Sequence, residues 1–377
     1  MLTKADVRRI IGDIFRTESA RYNLDTLGVF DTQDETRAWQ QLPPELLAKI
    51  IRQAADFFAC STPDFHSFDE LADAAFASFN DRKQVVFSTS GSTGVPKKCV
   101  HTLAMIAEES RAVAGEFSRI RRIVSLVPSH HLYGFTFTVV LPHTLQVPVH
   151  TLPALPTQPW NEILQPGDLL VGFPLFWDQW LRLGNRFPKG IELLCSTAPC
   201  KDEIIDGLEA AGAAYFTEIY GASETGAIGR RHHAREPFEL FPCWEINPAA
   251  KKIKRRCQTA WVDLPDETNI LDGRFLVPLK RRDACVQVAG INVYPKHVEK
   301  ILSQHPAVKT CRVRLMRPEE GTRLKAFVVL QDGYTPADAL PQLRAYAHQH
   351  LTVHEQPRSF TFGPQVPRGA LGKEADW

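Results

Sequence analysis

Hydrophobic and polar positions change their period along this chain. Over roughly the first eighty residues apolar side chains recur at helical spacing. Val7, Ile10, Ile11, Ile14 and Phe15 form one stripe, and Glu45–Phe58, entered through Pro43 and Pro44, forms another. From Val85 onward short β-type runs alternate with amphipathic segments. Val85–Phe87, Ile123–Val127, Leu169–Gly172, Ile191–Cys195 and Tyr215–Ile219 read as strands; Thr102–Phe117, Phe176–Leu183 and Asp202–Ala211 read as helices. This alternation predicts an α/β layer with a largely parallel sheet. Past residue 240 the segments Ile253–Val262 and Gly273–Leu279 predict a small antiparallel β subdomain. The rest of the chain predicts an α+β module, with strands at Val286–Val288, Thr310–Leu315 and Leu324–Val329 and helices at Lys296–Leu302 and Pro336–His350. The expected organisation is therefore a large domain over residues 1–282 and a small one over 283–377, divided in the basic stretch Lys280–Asp283. The Pro-rich Thr151–Pro159 reads as a loop.

Composition narrows the functional classes. Of 377 residues, 44% are apolar and the net charge is +1, which excludes a disordered chain and any general field for nucleic acid or anionic membrane. The run Lys251–Arg256 reads as a solvated strand face. Apolar runs such as Phe135–Leu141 are far shorter than a bilayer span. The N-terminus carries charge from the start and has no apolar central region, so a cytoplasmic protein is expected. Eight cysteines without a C-x-x-C pair suggest free thiols in a reducing compartment. Cys195, Cys200, His232, His233 and Cys243 match no standard zinc spacing.

The densest chemical signal is Ser90-Gly91-Ser92-Thr93-Gly94-Val95-Pro96-Lys97, placed between a strand-like run and a helical stretch. Glycines let the backbone approach a ligand, successive N–H groups and hydroxyls form an anion cradle, and a lysine adds a point charge for phosphate. It is neither a Walker loop, because Val95 and Pro96 separate Gly94 from Lys97, nor a dinucleotide G-x-G-x-x-G. The segment resembles the phosphate loop of the AMP-forming adenylating superfamily, which includes acyl- and aryl-CoA synthetases, peptide-synthetase adenylation domains and luciferase.

Further segments resemble that superfamily's motifs in order. Tyr220-Gly221-Ala222-Ser223-Glu224-Thr225 is similar to Y-G-x-[ST]-E. The resemblance implies that Tyr220 stacks on the base with Gly221 beside it, that Ser223 bonds a phosphate, and that Glu224, with Thr93, holds Mg²⁺. Pro128–Gly134 is similar to P-x-x-H-x-x-G and implies an acid pocket at His131, with His130 able to exchange roles with it. Phe135, Phe173, Phe176 and Trp177 would make that pocket aromatic. Cys195–Cys200 is similar to the G-G-A-P-L adenine segment; Ala198 and Pro199 are kept, and Ser196 and Thr197 replace the glycines. Lys280–Val293 is similar to the hinge segment. Arg281 would reach the nucleotide, Asp283 would be the hinge and Gly290 would border the acceptor tunnel, with Glu299 closing the segment. Lys280 and Gln287 depart from the pattern. The ribose carboxylate of T-G-D falls to Asp263 or Asp272, with Asp263 preferred on spacing. Pro367–Lys373 is similar to the terminal P-x-x-x-x-G-K, whose lysine, here Lys373, swings into the active site.

The fold implied is a shortened adenylate-forming α/β domain with a mobile C-terminal α+β domain. The reaction implied is ATP-dependent conversion of an aryl or acyl carboxylic acid to an acyl-adenylate with release of pyrophosphate. Transfer then follows to a thiol, of coenzyme A or of a carrier protein's phosphopantetheine, with release of AMP. Two alternatives stay open: a ligase strictly specific for a carrier protein, and a degenerate nucleotide- or acyl-binding protein without turnover. The interval before the phosphate loop and that between Tyr220 and Arg281 are short for the family, which leaves open a homodimer whose second copy completes the pocket wall.

Overall fold

The computed structural model describes residues 2–21, 39–61, 65–89, 97–117, 119–152, 159–282, 285–288, 291–317, 319–367 and 377. They fall into two compact units, one of residues 1–88 and 98–280 and one of residues 281–377 with Thr89 and Lys97.

The first unit opens with helices α1 (Lys4–Arg21), α2 (Pro44–Phe58) and α3 (Phe68–Arg82). Their apolar stripes close on one another and on the paired strands β1 (Gln84–Thr89) and β2 (Lys97–Thr102), burying Ile10, Ile14, Phe58, Phe79 and Val85 completely. Ser67 begins α3 by accepting the Glu70 amide, and Thr102 begins α4 (Leu103–Ala114) by accepting the Met105 amide. The chain then enters the main sheet through β3 (Arg122–Ser125). It passes α5 (Leu132–Phe135), a π turn over Thr136–Val140 and α6 (Leu141–Leu145), and reaches β4 (Val149–Thr151). Next come α7 (Trp160–Ile163), β5 (Asp168–Gly172), α8 (Pro174–Arg182), β6 (Glu192–Cys195), α9 (Asp202–Ala210) and β7 (Tyr215–Ala222).

Strands β4, β3, β5, β6 and β7 lie side by side and all parallel. Every residue of β5 is buried, as a strand covered on both faces requires. One face packs Leu169, Val171, Leu194 and Ile219; the other packs Leu170, Leu193, Trp177 and Trp180 from α8, and Ile205 and Leu208 from α9.

The sheet continues beyond the predicted parallel core. β8 (Gly226–Arg231) pairs antiparallel with β7 and β9 (Phe238–Leu240) antiparallel with β8, and after them come β13 (Asp266–Leu271) and β14 (Phe275–Arg281), in the edge order β7-β8-β9-β14-β13. The expected separate β subdomain is thus divided. Gly273–Leu279 falls in the main nine-stranded mixed sheet, and only β10 (Trp244–Asn247), β11 (Lys252–Arg255) and β12 (Val262–Asp263) form a small sheet of their own. The basic run on β11 meets acids: Lys254 pairs with Glu245 at 3.0 Å and Lys252 with Asp263 at 4.0 Å. Arg255 departs from the solvated face expected for it, because it is buried to 1% exposure.

The second unit pairs β15 (Val286–Val288) with β16 (Ile291–Val293). Beside them it sets α10 (Pro295–Leu302), β17 (Val308–Leu315), β18 (Leu324–Leu330), α11 (Pro336–His350) and β19 (Ser359–Phe362). β17 and β18 run antiparallel, and β18 and β19 parallel. Glu299 on α10 accepts the Val313 amide at 3.0 Å and Lys296 Nζ at 2.8 Å, so it ties helix to sheet. Gln287 donates to Asn292 Oδ1 across the β15–β16 pair at 2.8 Å. None of the eight cysteines is in a disulfide, and no helix among the described residues is long and apolar enough to cross a membrane.

Candidate active site

Four of the parallel strands deliver their motifs to one edge. The chain leaving β3 runs through Pro128–Gly134, that leaving β5 through Phe173, that leaving β6 through Ser196–Pro199, and that leaving β7 through the turn Ser223–Thr225. Ligands of open α/β sheets bind outside the carboxyl ends of the strands, where the connections reverse direction. Here β3 leads outward to β4 while its other neighbour, β5, leads on to β6, so the reversal falls between β3 and β5.

The histidine segment is built from both sides of that crevice. The Tyr133 hydroxyl lies 3.0 Å from the carbonyls of Gly172 and Leu194, which pins the segment to β5 and β6. Burial holds its phenol well above the usual tyrosine range. Asp13 of α1 accepts the buried Ser129 amide at 2.9 Å and also the Ser129 hydroxyl. The first helix, in which no motif is legible, thereby shapes the site. A Cβ at Gly134 would stand 2.0 Å from the Pro128 carbonyl oxygen, so the closing glycine of P-x-x-H-x-x-G answers a backbone contact within the motif itself. Of the adjacent histidines, His130 is buried and His131 is exposed. Phe173 is half-buried at the end of β5. Phe135 and Trp177 do not line this crevice. Phe135 is wholly covered beside Phe57 and Phe87, and Trp177 packs over Gly172 inside the α8 core, because their helices turn those faces inward.

The segment Ser196–Cys200 is anchored at both ends. Ser196 Oγ donates to the Ile219 carbonyl at 3.0 Å. The Cys200 amide donates to Glu218 at 2.8 Å, and Glu218 pairs with Arg231, also at 2.8 Å. Ala198 is half-buried between these anchors. Thr197, standing where relatives carry glycine, has φ 81°, a left-handed conformation that strains a β-branched residue. Thr197→Gly is expected to raise thermal stability by about 1 kcal/mol, read from the unfolding midpoint.

Tyr220 is buried at the end of β7, with Gly221 next to it, and its hydroxyl donates to Asp266 Oδ2 at 2.8 Å. Neither of the predicted ribose carboxylates is brought to this point. Asp263 lies on β12 with its side chain 65% exposed toward Lys252, and Asp272 occupies a turn at φ 48°. Asp266, which receives that hydroxyl, is one of four acids between residues 263 and 272, and spacing alone does not select it. The available signal was strand alternation, since Asp266 and Thr268 point inward while Glu267 and Asn269 are exposed. Arg281 closes β14, half-buried, and Ser223 and Glu224 sit half-buried and exposed on the turn after β7. Ser90, Gly91, Ser92, Thr93 and Gly94, together with Asp283, Gly290 and Lys373, lie outside the described residues; of Lys97 only the backbone, opening β2, is described.

A family model for AMP-binding enzymes matches residues 30–264, and one for the AMP-binding enzyme C-terminal domain matches 297–373. Among curated proteins the chain is 33% identical to a 4-coumarate–CoA ligase of Cereibacter sphaeroides, over 88% of this chain and 82% of that one. To a 4-coumarate–CoA ligase of Halorhodospira halophila it is 35% identical, over 77% and 74%. Among solved structures, the o-succinylbenzoate CoA synthetase of Bacillus subtilis superposes with a TM-score of 0.64 at 18% identity, covering 77% of this chain and 67% of that one. A malonyl-CoA ligase superposes at 0.62 and 21%, covering 75% and 71%. At these identities the structural likenesses show the fold.

Proposed function

We propose, because the chain belongs to the AMP-binding enzyme family, that it joins a carboxylic acid to coenzyme A through an acyl-adenylate. The observation that carries this reading is the arrival of the His131, Phe173, Ala198 and Tyr220–Thr225 segments at the carboxyl ends of four neighbouring parallel strands. In the first half-reaction a carboxylate oxygen attacks the α-phosphorus of ATP; the new O–P bond forms as the bond to pyrophosphate breaks. In the second, the deprotonated thiol of coenzyme A attacks the acyl carbon and AMP departs with the bonding electrons.

Residues 1–282 bind ATP and the acid in this reading, and residues 283–377 carry Lys373. Ser90, Gly91, Ser92, Thr93, Gly94, Lys97 and Ser223 hold the phosphates. Ala198, Tyr220 and Gly221 face the adenine, and Arg281 and Asp266 the ribose. His131 and Phe173 border the acid, Asp283 is the hinge, and Gly290 borders the acceptor. The exposed oxygens of Glu224 are the hard donors Mg²⁺ selects, so Glu224 and Thr93 would hold that ion, which neutralises phosphate charge when bound. The protein's own task is to position two anions and offset their repulsion. Eight cysteines in the thiol form suit a cytoplasmic enzyme.

The test is acid-dependent pyrophosphate release across a panel of aryl and acyl carboxylates with 4-coumarate first, followed by thioester assays with coenzyme A and with a phosphopantetheinylated carrier protein. Release with an aryl acid and a thioester with coenzyme A are expected. Silence with every acid would overturn the reading, and a thioester with the carrier alone would move the acceptor.

A further inference from the structure

The turn that carries Glu224 is gripped from two sides by buried cationic or protonatable groups that no motif singles out. His101, on β2, is 2% exposed, and its Nε2–H donates to the Ser223 carbonyl at 2.7 Å. Its ring stands edge-on to Phe87 at 5.4 Å. Arg255, on β11, is 1% exposed and donates from Nη2 to the Thr225 carbonyl at 2.7 Å. The same nitrogen meets Glu109 Oε2 of α4 at 2.6 Å, and the guanidinium lies 4.6 Å over the Trp244 ring, whose Nε1 donates to the Ala227 carbonyl at 2.8 Å. The fit leaves no slack: a Cβ at Gly226 would fall 2.1 Å from Glu109 Oε2. The carbonyls of the residues immediately before and after Glu224 are therefore both held.

A buried ion pair is weak evidence of a stability role, since apolar side chains of the same volume often hold a core as well. What apolar side chains lack is the ability to donate to two backbone carbonyls and so orient the peptide planes flanking one carboxylate. We infer that His101 and Arg255 are positioning residues that fix the Ser223–Thr225 turn so that the Glu224 carboxylate is preorganised for the cation and phosphates of the nucleotide. The inference rests on the proposed role of Glu224. Burial holds His101 below the usual histidine range against the opposing pull of the Ser223 carbonyl, Glu109 and Glu224, which keeps the ring neutral at pH 7 and its remaining proton on Nε2.

The experiment compares His101→Leu, which removes the donor, with His101→Gln, which returns an N–H near the Nε2 position. A third protein joins Arg255→Met to Glu109→Met so that no charge is left orphaned, and Glu224→Gln is the control. Two measurements need no turnover: backbone amide exchange of the segment 221–227 by mass spectrometry, and calorimetric ATP binding with Mg²⁺ and with chelator. In His101→Leu and the double variant, faster exchange of this segment and a roughly tenfold loss of the Mg²⁺-dependent part of ATP binding are expected, with binding in chelator unchanged. His101→Gln restores both. Should the double variant fail to fold, the two His101 variants decide. Mg²⁺-dependent binding that survives Glu224→Gln removes the role of Glu224, and the inference with it. If Glu224→Gln loses that binding while His101→Leu keeps wild-type exchange and binding, the inference alone falls.

Discussion

Lys373→Ala is expected to lower acid-dependent pyrophosphate release by about 10²–10³ while leaving the fold and the second half-reaction intact. The carboxylate of the acid and the triphosphate are both anions, and their approach is opposed until fixed positive charge stands at the point where the new bond forms. In the proposed site the phosphate loop and the cation at Glu224 serve the departing pyrophosphate. The reacting oxygen and the α-phosphate fall to Lys373, in the Pro367–Lys373 segment with which the C-terminal family match ends. Two assays separate this role from a general loss of structure. Pyrophosphate release reports adenylate formation, and conversion of a supplied acyl-adenylate to thioester reports the second step, which does not use the lysine. Full pyrophosphate release by Lys373→Ala would refute the assignment. Loss of both steps together would point to a folding defect.

The elements and most motifs of this chain are legible because their signals are local. Leu169–Gly172 reads as a strand, and β5 begins one residue earlier; Asp202–Ala211 reads as a helix, and α9 differs at its end by one residue. What stays hidden is set by partners far away in sequence. Phe135 and Trp177 stand in or next to recognisable segments, but only packing shows that both are core side chains and leaves Phe173 at the strand ends. Arg255 sits in a run of basic residues that reads as a solvated face, and its partner Glu109 lies 146 residues away on α4. The split of the β subdomain has the same origin. Short antiparallel strands look alike by period, and which of them extends the main sheet depends on pairing, such as that of Phe275 with Glu239, that no window of sequence contains.

The ribose carboxylate provides the sharpest separation between the two kinds of signal. Asp266→Asn is expected to raise the KM for ATP by roughly ten- to a hundredfold, whereas Asp263→Asn is expected to match the wild type. A ribose diol donates to a carboxylate through hydrogen bonds to a charged acceptor, each contributing about 1.5–3 kcal/mol, and an amide of the same shape accepts less strongly. Asp266 is buried and already receives the Tyr220 hydroxyl at 2.8 Å, so the oxygen that would meet the ribose is held beside the ring that would meet the base. Asp263 has a side chain 65% exposed on another sheet. Tyr220→Phe tests the link: it keeps the ring and removes the donor, so a smaller rise in KM than that of Asp266→Asn is expected, with kcat nearly unchanged. Steady-state kinetics of pyrophosphate release against ATP concentration measure all three variants. A large effect at Asp263 with none at Asp266 would return the ribose to the residue that spacing alone selects.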